Sequence, residues 1–589
     1  MASTSPNYTY IADKPGLVAA HQDLVQHAVI ALDTETTGLD PHTDRLRLVT
    51  LASADHAYIL DTWICPSWQV VVRHLLADPA RTVVGHNLAF DLRFLMANGI
   101  EARTAIFDSY LASLVLDGGT HQGVKGYHSL AGLVEREMGT TLDKTEQKSG
   151  WDAPTLPPAK LAYAADDAAI LLPLHAHLQN RLAADGLADV IALENACVPA
   201  MAWMAHTGML FDQAAWVRLA DTAVLEQQRL AREIQALLAE SLGATGLFGY
   251  DVNLDSPVQL LKALAALGIE ATDTNEGTLS ALKDRHPVIP LLLDYRESAK
   301  RAGTYGIEFA AKHLHPTTGR IHADFRQIGA ASGRMSCTAP NLQNIPRSKD
   351  YRGCFRAAEG HALIKADYAA IELRLAAVIA KDATMLAAFG EGADLHRRTA
   401  ATVLGIPEEA VTKEHRQLAK ALNFGLAYGA GAETLVRYAA TNFGVAMTLR
   451  EAQEHRTRFF TTYQGLHRWR RSQRNGPEDL RTLTGRVRRN IERFTEKLNT
   501  PVQGSGADGL KMALGRLWQY RQEAPTARLV AVVHDEVVVE CPAEDAAAVA
   551  DWLTRHMVGG MEDIVHGAVP IAVEASIARD WAGTPLEQP

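Results

Sequence analysis

Two groups of residues include carboxylates that could take a divalent metal ion. The first comprises Asp33 and Glu35 in AVIALDTETTGLD, Asp91 in VVGHNLAFDLRFL and Asp167 in LAYAADDAAILLPLH. Asp33 and Glu35 stand two apart at the end of an apolar run, which puts both on one face of a strand. Close carboxylates repel each other unless a cation or proton lies between them, so a hard divalent ion is the natural third party. Four acids can hold two such ions about 4 Å apart, one activating water and one stabilising a leaving oxygen. Tyr163 precedes Asp167 by four residues and Asn87 precedes Asp91 by four, so each pair would share a helix face. The second set is Asp367, where ALIKADYAAIELRL passes from strand to helix, and the trio His534, Asp535 and Glu536. Two valine-rich strands flank that trio, which predicts a tight hairpin with a polar tip. Glu372 lies five residues beyond Asp367, at the start of the helix.

A third stretch carries positive charge. In RQLAKALNFGLAYG a helix would repeat Arg416, Lys420, Phe424 and Tyr428 every fourth residue, giving a stripe of two cations and two rings. Arginine and lysine hold phosphate oxygens, and an aromatic face covers a sugar or base, so the stripe suits a nucleoside triphosphate. Gly425 and Gly429 would let another backbone or a nucleotide lie close.

The elements that must position these residues belong to a chain of 589 residues, long enough for several domains. Its 47% hydrophobic and 21% charged content is ordinary for a soluble protein. No apolar run is long enough to cross a bilayer, and the start lacks a secretory pattern, so a cytoplasmic address is expected. Five scattered cysteines without CxxC spacing predict neither a disulfide framework nor a zinc site. A formal charge of −10 excludes a uniformly basic coat for nucleic acid but leaves room for a local one. Between Leu466 and Lys497 ten Lys/Arg stand against four acids. Residues 185–305 read as helical, punctuated at Pro199 and at the glycine-rich 243–253, with NLDSPVQLLKALAALGI a helix capped by Asp255 or Ser256. ASGRMSCTAPNLQNIP, which contains Arg334, is polar and turn-rich.

Asp33-x-Glu35, Asn87-xxx-Asp91 and Tyr163-xxx-Asp167 resemble the three motifs of the DEDD exonucleases, in the branch with a tyrosine in the third. The resemblance implies that Asp33, Glu35, Asp91 and Asp167 hold two metals and that Tyr163 orients the attacking water. Asp367, the 416–429 helix and the His534–Glu536 tip resemble motifs A, B and C of family A DNA polymerases. SGRMSCTAPNLQNIP, TLTGR, NTPVQGSGAD and NLDSPVQLL extend the likeness from about residue 25 to 580.

The implied fold is α/β and multidomain: an RNase H-like exonuclease domain at 1–185, a helical thumb at 186–325, palm at 326–395, helical fingers at 396–475, and the rest of the palm, with its antiparallel sheet, at 476–589. The family further implies that Asp367, Asp535 and the carbonyl of Tyr368 bind two magnesium ions, replaceable by manganese, with Glu536 auxiliary. Two more ions belong to the exonuclease site. Arg416, Lys420 and His396 would grip the triphosphate, with Lys420 protonating the departing pyrophosphate. Phe424 and Tyr428 would line the nucleotide and templating position, and Glu372 would crowd the sugar 2′ position. Arg334, Arg486, Asn499, Gln503 and His534 would touch the primer-template. The expectation is a monomeric, template-directed DNA polymerase with 3′-to-5′ proofreading for replication or repair, in a bacterial cytoplasm or phage-infected cell. Its partners would be primer-template DNA, deoxynucleoside triphosphates and a single-stranded 3′ end, with no membrane.

Overall fold

The computed structural model describes residues 7–146, 150–241 and 252–586, so most of the glycine-rich stretch expected to turn at 243–253 lies outside the described residues. The first unit is built on six strands: β1 (Tyr8–Ile11), β2 (Val29–Thr36), β3 (Leu46–Ala52), β4 (Ala57–Asp61), β5 (Thr82–Gly85) and β6 (Ala105–Asp108). Their order is β1-β4-β3-β2-β5-β6, with β3 antiparallel to both neighbours and the remaining pairs parallel. Every residue of β3 is buried, including Arg47, whose guanidinium is neutralised by Asp61 at 2.8 Å. Helices Ala89–Ala97, Pro158–Ala169 and Leu171–Ala184 complete this core through Leu92, Phe94, Ala164, Ala168, Leu174 and Leu178.

Helix Ala188–Thr207 links this unit to the next, giving Val190, Ile191, Val198 and Ala202 to the first core and Cys197, Ala200, Met201 and Met204 to the second. Pro199, expected to mark a turn, sits inside this helix. The lost hydrogen bond costs helix stability, but the residues on either side are buried nearly all round, and that packing holds the helix through the proline. The long helix Gln213–Ser241 then packs with Val288–Thr304 around a separate small core of Leu230, Ile234, Leu238, Leu260, Val288 and Leu292. Ser256 caps the intervening helix Pro257–Ala266 by accepting the Gln259 N–H.

The second sheet runs in the order Arg528–Val533, Glu536–Pro542, His361–Tyr368, Val573–Ala578, antiparallel throughout. Helices Phe494–Gln519 and Ala546–Val565 share its core, which runs on into the helices Leu395–Leu404, Lys413–Ala427, Ala432–Phe443 and Leu449–Thr462. Among the described residues no helix is long and apolar enough to cross a membrane.

Candidate active sites

In the second sheet Asp367 pairs with Glu536, and Val533 pairs with Glu536 across a two-residue turn made of His534 and Asp535. His534 takes φ +61°, as a tight hairpin turn of this hand requires. Asp367 and Asp535 are therefore thrown together at one sheet end, from positions far apart in the chain. Partial burial, then repulsion from Asp535 and Glu536, pushes the Asp367 carboxyl up to about 7. Asp535 is also raised, by burial and by Glu372. Glu536 is turned aside, accepting the Trp581 indole N–H at 2.6 Å. The Tyr368 hydroxyl is buried and donates to the Met557 carbonyl at 2.7 Å. Ala370, left-handed at φ +53°, starts the helix Ile371–Ala380 and swings Glu372 back over the sheet end. There Glu372 accepts from Arg334 at 2.6 Å and from the Tyr428 hydroxyl.

The stripe expected at 416–428 lies on helix Lys413–Ala427, with Tyr428 as its C-cap and a Thr412 capping box at its start. Arg416 Nε meets Asp394 at 2.6 Å, and Asp394 also caps the neighbouring helix through the backbone N–H groups of His396 and Arg397. Lys420 meets no carboxylate among the described residues. The His396 ring lies 5.8 Å from Phe424. The Asn423 side-chain amide bridges Thr399 Oγ1 at 3.0 Å and His396 Nδ1 at 2.8 Å. Burial drives the His396 pKa down to about 4, which keeps the ring neutral at physiological pH. At Gly425 an added Cβ would approach Leu435 at 3.0 Å and Tyr438 at 3.2 Å, so the bare position serves the packing of helix Ala432–Phe443.

In the first unit Asp33 and Glu35 lie on β2, whose pairing with β3 shifts register right after Glu35. Asp91 comes from helix Ala89–Ala97 and accepts the Thr34 hydroxyl at 2.5 Å. Asp167 and Tyr163 share helix Pro158–Ala169. Burial raises Asp33 well above the carboxylate range, with Glu35, Asp91 and Asp167 adding to the effect. Burial and Asp167 push Glu35 up to about 8, and burial pushes Asp91 up to about 7. The countercharge is Lys144, whose ammonium contacts both Asp167 oxygens at 2.6 and 2.7 Å and lies 3.5 Å from the Tyr163 hydroxyl. Among the described residues no three ligand-type side chains already close into a metal cage. Both carboxylate groups nevertheless retain repulsion that a divalent ion would remove.

Comparison with known proteins accounts for both halves. Residues 222–583 match the model of DNA polymerase family A, and residues 8–183 match a 3′-5′ exonuclease family. The chain belongs to DNA polymerase family A. It is a DNA-directed DNA polymerase with a 3′-5′ exonuclease domain. DNA polymerase I of Aquifex aeolicus is 35% identical over 98% of this chain and 99% of its own length. DNA polymerase I of Pseudomonas aeruginosa is 31% identical over 98% of this chain, which spans 66% of that relative. The fold is similar to the POL domain of Pol1 from M. smegmatis, solved with DNA primer-template and dNTP, at a TM-score of 0.80 and 24% identity, covering 98% of this chain and 99% of that one.

Within this family A frame two positions differ from their sequence reading. Arg486, expected on DNA, is only 4% exposed. Its guanidinium is held by Glu194 and, at 2.7 Å, by Asp508, while Lys511 reaches Glu194 at 2.5 Å. A buried arginine with two acidic partners has no face left for a phosphate or base, so Arg486 ties the helix Ala188–Thr207 to the helix Phe494–Gln519. Asn87 does not share a helix with Asp91: it turns left-handed at φ +63° before that helix begins. The turn is held by Asp108, which accepts the Asn87 and Leu88 N–H groups at 2.9 and 2.8 Å. Several members of the 466–497 basic run are likewise spent inside the protein. Arg470 binds the carbonyls of Gly429 and Ala430, and Lys497 that of Gly476, while Arg468, Arg471 and Arg474 stay exposed. Lys144 escaped the sequence reading because LDKTEQ has neither periodicity nor a motif that would mark it.

Proposed function

We propose that this polymerase extends a primer 3′ end at Asp367 and Asp535 and trims a single-stranded 3′ end at Asp33, Glu35, Asp91 and Asp167. The observation that carries the first half is the register that sets Asp367 opposite Glu536, beside Asp535. Two magnesium ions at each centre, replaceable by manganese, would supply the charge that activates the attacking oxygen and stabilises the leaving one. Asp367, Asp535 and the Tyr368 carbonyl would hold them at the synthetic centre, with Glu536 auxiliary.

Arg416, Lys420 and neutral His396 bind the triphosphate. Lys420, free of any acidic partner among the described residues, gives a proton to the departing pyrophosphate. Phe424 and Tyr428 cover the incoming nucleotide and templating base. Glu372, braced by Arg334 and Tyr428, occupies the space a ribose 2′-hydroxyl would need. Arg334, Asn499, Gln503 and His534 contact the primer-template, where minor-groove acceptors are nearly the same for every base pair. Exposure of Arg334 and His534 supports this, as does the part-exposed pair Asn499 and Gln503 on a mostly buried helix. Asn499 Oδ1 has no hydrogen-bond partner among the described residues. At the trimming centre Tyr163 orients the attacking water. The protein acts as a monomer in replication or repair, within a bacterial or phage-infected cytoplasm, with 1–185 as exonuclease and the thumb, palm and fingers beyond.

A labelled hairpin primer with magnesium, with and without deoxynucleotides, tests this. Asp535→Ala should abolish extension and spare trimming, and Asp33→Ala should do the reverse. Extension surviving in Asp535→Ala overturns the assignment.

A further inference from the structure

Away from both carboxylate centres, the exonuclease unit and the palm enclose a crevice of about 800 Å³. It is lined by Arg73, Arg103, Arg320, Arg521 and Arg528, and Glu101 is the one carboxylate among its lining residues. Arg521 takes up Glu101 at 2.8 Å, and Arg320 is neutralised by Glu540 at 2.6 Å. Arg73, Arg103 and Arg528 remain, all exposed and without a carboxylate partner among the described residues. Among the described residues Arg73 reaches the Gly99 carbonyl, and Arg528 those of Pro525 and Ala527.

Three uncompensated arginines on one concavity repel one another, and such an arrangement suits an anion that spans them. A second wall is made of rings. His42 stacks on His206 at 4.7 Å and lies 4.3 Å from His322. His206 Nδ1 is buried with no hydrogen-bond partner among the described residues. Arg528 opens the strand whose other end, five residues on, meets His534. At strand rise this puts the crevice about 17 Å from the synthetic carboxylates.

We propose that this crevice binds a short chain of phosphates, inorganic or the tail of a nucleotide, across Arg73, Arg103 and Arg528. The volume is that of a small-molecule site. Because the arginines come from both units, the bound phosphates tie the exonuclease unit to the palm and raise the melting temperature.

The test is a titration of the full chain with sodium tripolyphosphate, free of divalent metal, read by calorimetry and by the fluorescence of Trp203 and Trp518, which also line the crevice. Saturable binding is expected, kept in Arg416→Ala/Lys420→Ala and weakened at least tenfold in Arg73→Ser/Arg103→Ser/Arg528→Ser. That triple variant should extend primers as wild type does, and Arg103→Ser alone should weaken binding severalfold. ATP serves as the second arm: tighter binding than tripolyphosphate, lost in the triple variant, assigns a nucleotide, and equal binding assigns phosphates alone. The proposal is overturned if no saturation is reached, if binding disappears in Arg416→Ala/Lys420→Ala and survives in the triple variant, or if oligothymidylate outcompetes both probes at these arginines.

Discussion

Tyr428, at the end of the 413–427 helix, donates its hydroxyl to the carboxylate of Glu372 at the palm sheet end. One hydrogen bond thus joins the element proposed to cover the nucleotide to the residue proposed to sense the sugar. Arg334 grips the other oxygen of Glu372 at 2.6 Å, so the carboxylate is held from two sides. Removing Glu372 opens space at the 2′ position. Glu372→Ala should raise ribonucleotide incorporation at least about tenfold. Tyr428→Phe, which removes only one brace worth roughly 1.5–3 kcal/mol, should do so less. Steady-state kinetics with paired ribo- and deoxynucleotides check both, and unchanged selectivity in Glu372→Ala would refute the role.

Phe424 has no hydroxyl to stand in for a missing 3′-hydroxyl on the incoming sugar. Dideoxynucleotides should therefore be poor substrates, and Phe424→Tyr should bring their use close to that of normal nucleotides. Termination patterns in primer extension decide this.

The buried cluster of Arg486, Glu194, Asp508 and Lys511 makes a different prediction. Arg486→Leu leaves Glu194 and Asp508 short of their partner inside the protein, at a cost of about 3–5 kcal/mol. The loss should appear as a lower urea midpoint, while the salt dependence of DNA binding stays that of wild type. A reduced salt slope with unchanged stability would return Arg486 to the DNA surface.

His396 gives the pH dependence. Its pKa is depressed to about 4 in the folded state by burial, below the ordinary value of 6.5. Between those values the unfolded chain binds more protons than the folded one, so stability is full above 6.5 and is lost as pH falls toward 4. The slope from this one group approaches 1.4 kcal/mol per pH unit, and His396→Gln should flatten acid denaturation accordingly. KM for deoxynucleotide should be flat through pH 6–7.5, since the ring stays neutral there. An inflection near 6.5 would contradict the buried, Asn423-held ring.

Lys144 and Asp167 predict a metal effect confined to one activity. With the ammonium removed, Asp167 has both oxygens free, so Lys144→Met should lower the magnesium needed for half-maximal trimming severalfold and leave extension untouched. Metal titrations of the two activities on one hairpin substrate separate them.

What could be read from the chain was local and periodic. Alternation set Asp33 and Glu35 on one strand face, four-residue spacing lined up Arg416, Lys420 and Phe424, and valine runs framed the His534–Asp535 turn. What could not be read depended on partners distant in sequence. The charge of Arg486 does not reveal that Glu194, hundreds of positions earlier, encloses it. Nothing near Asn87 signals that Asp108 will cap a left-handed turn there, and Pro199 looks like a breaker until two cores close around its helix. Lys144 shows the same limit, since only the folded chain brings it to Asp167.

The helix Ala188–Thr207 also bears on how the two chemistries are coupled. Because it is sewn into the hydrophobic interiors on both sides of it, neither half can swing away from the other without baring apolar surface to water. On the proposed assignment of the two centres, traffic between building and correcting falls to the nucleic acid: a mispaired end would have to peel off and cross between workstations that stay where they are.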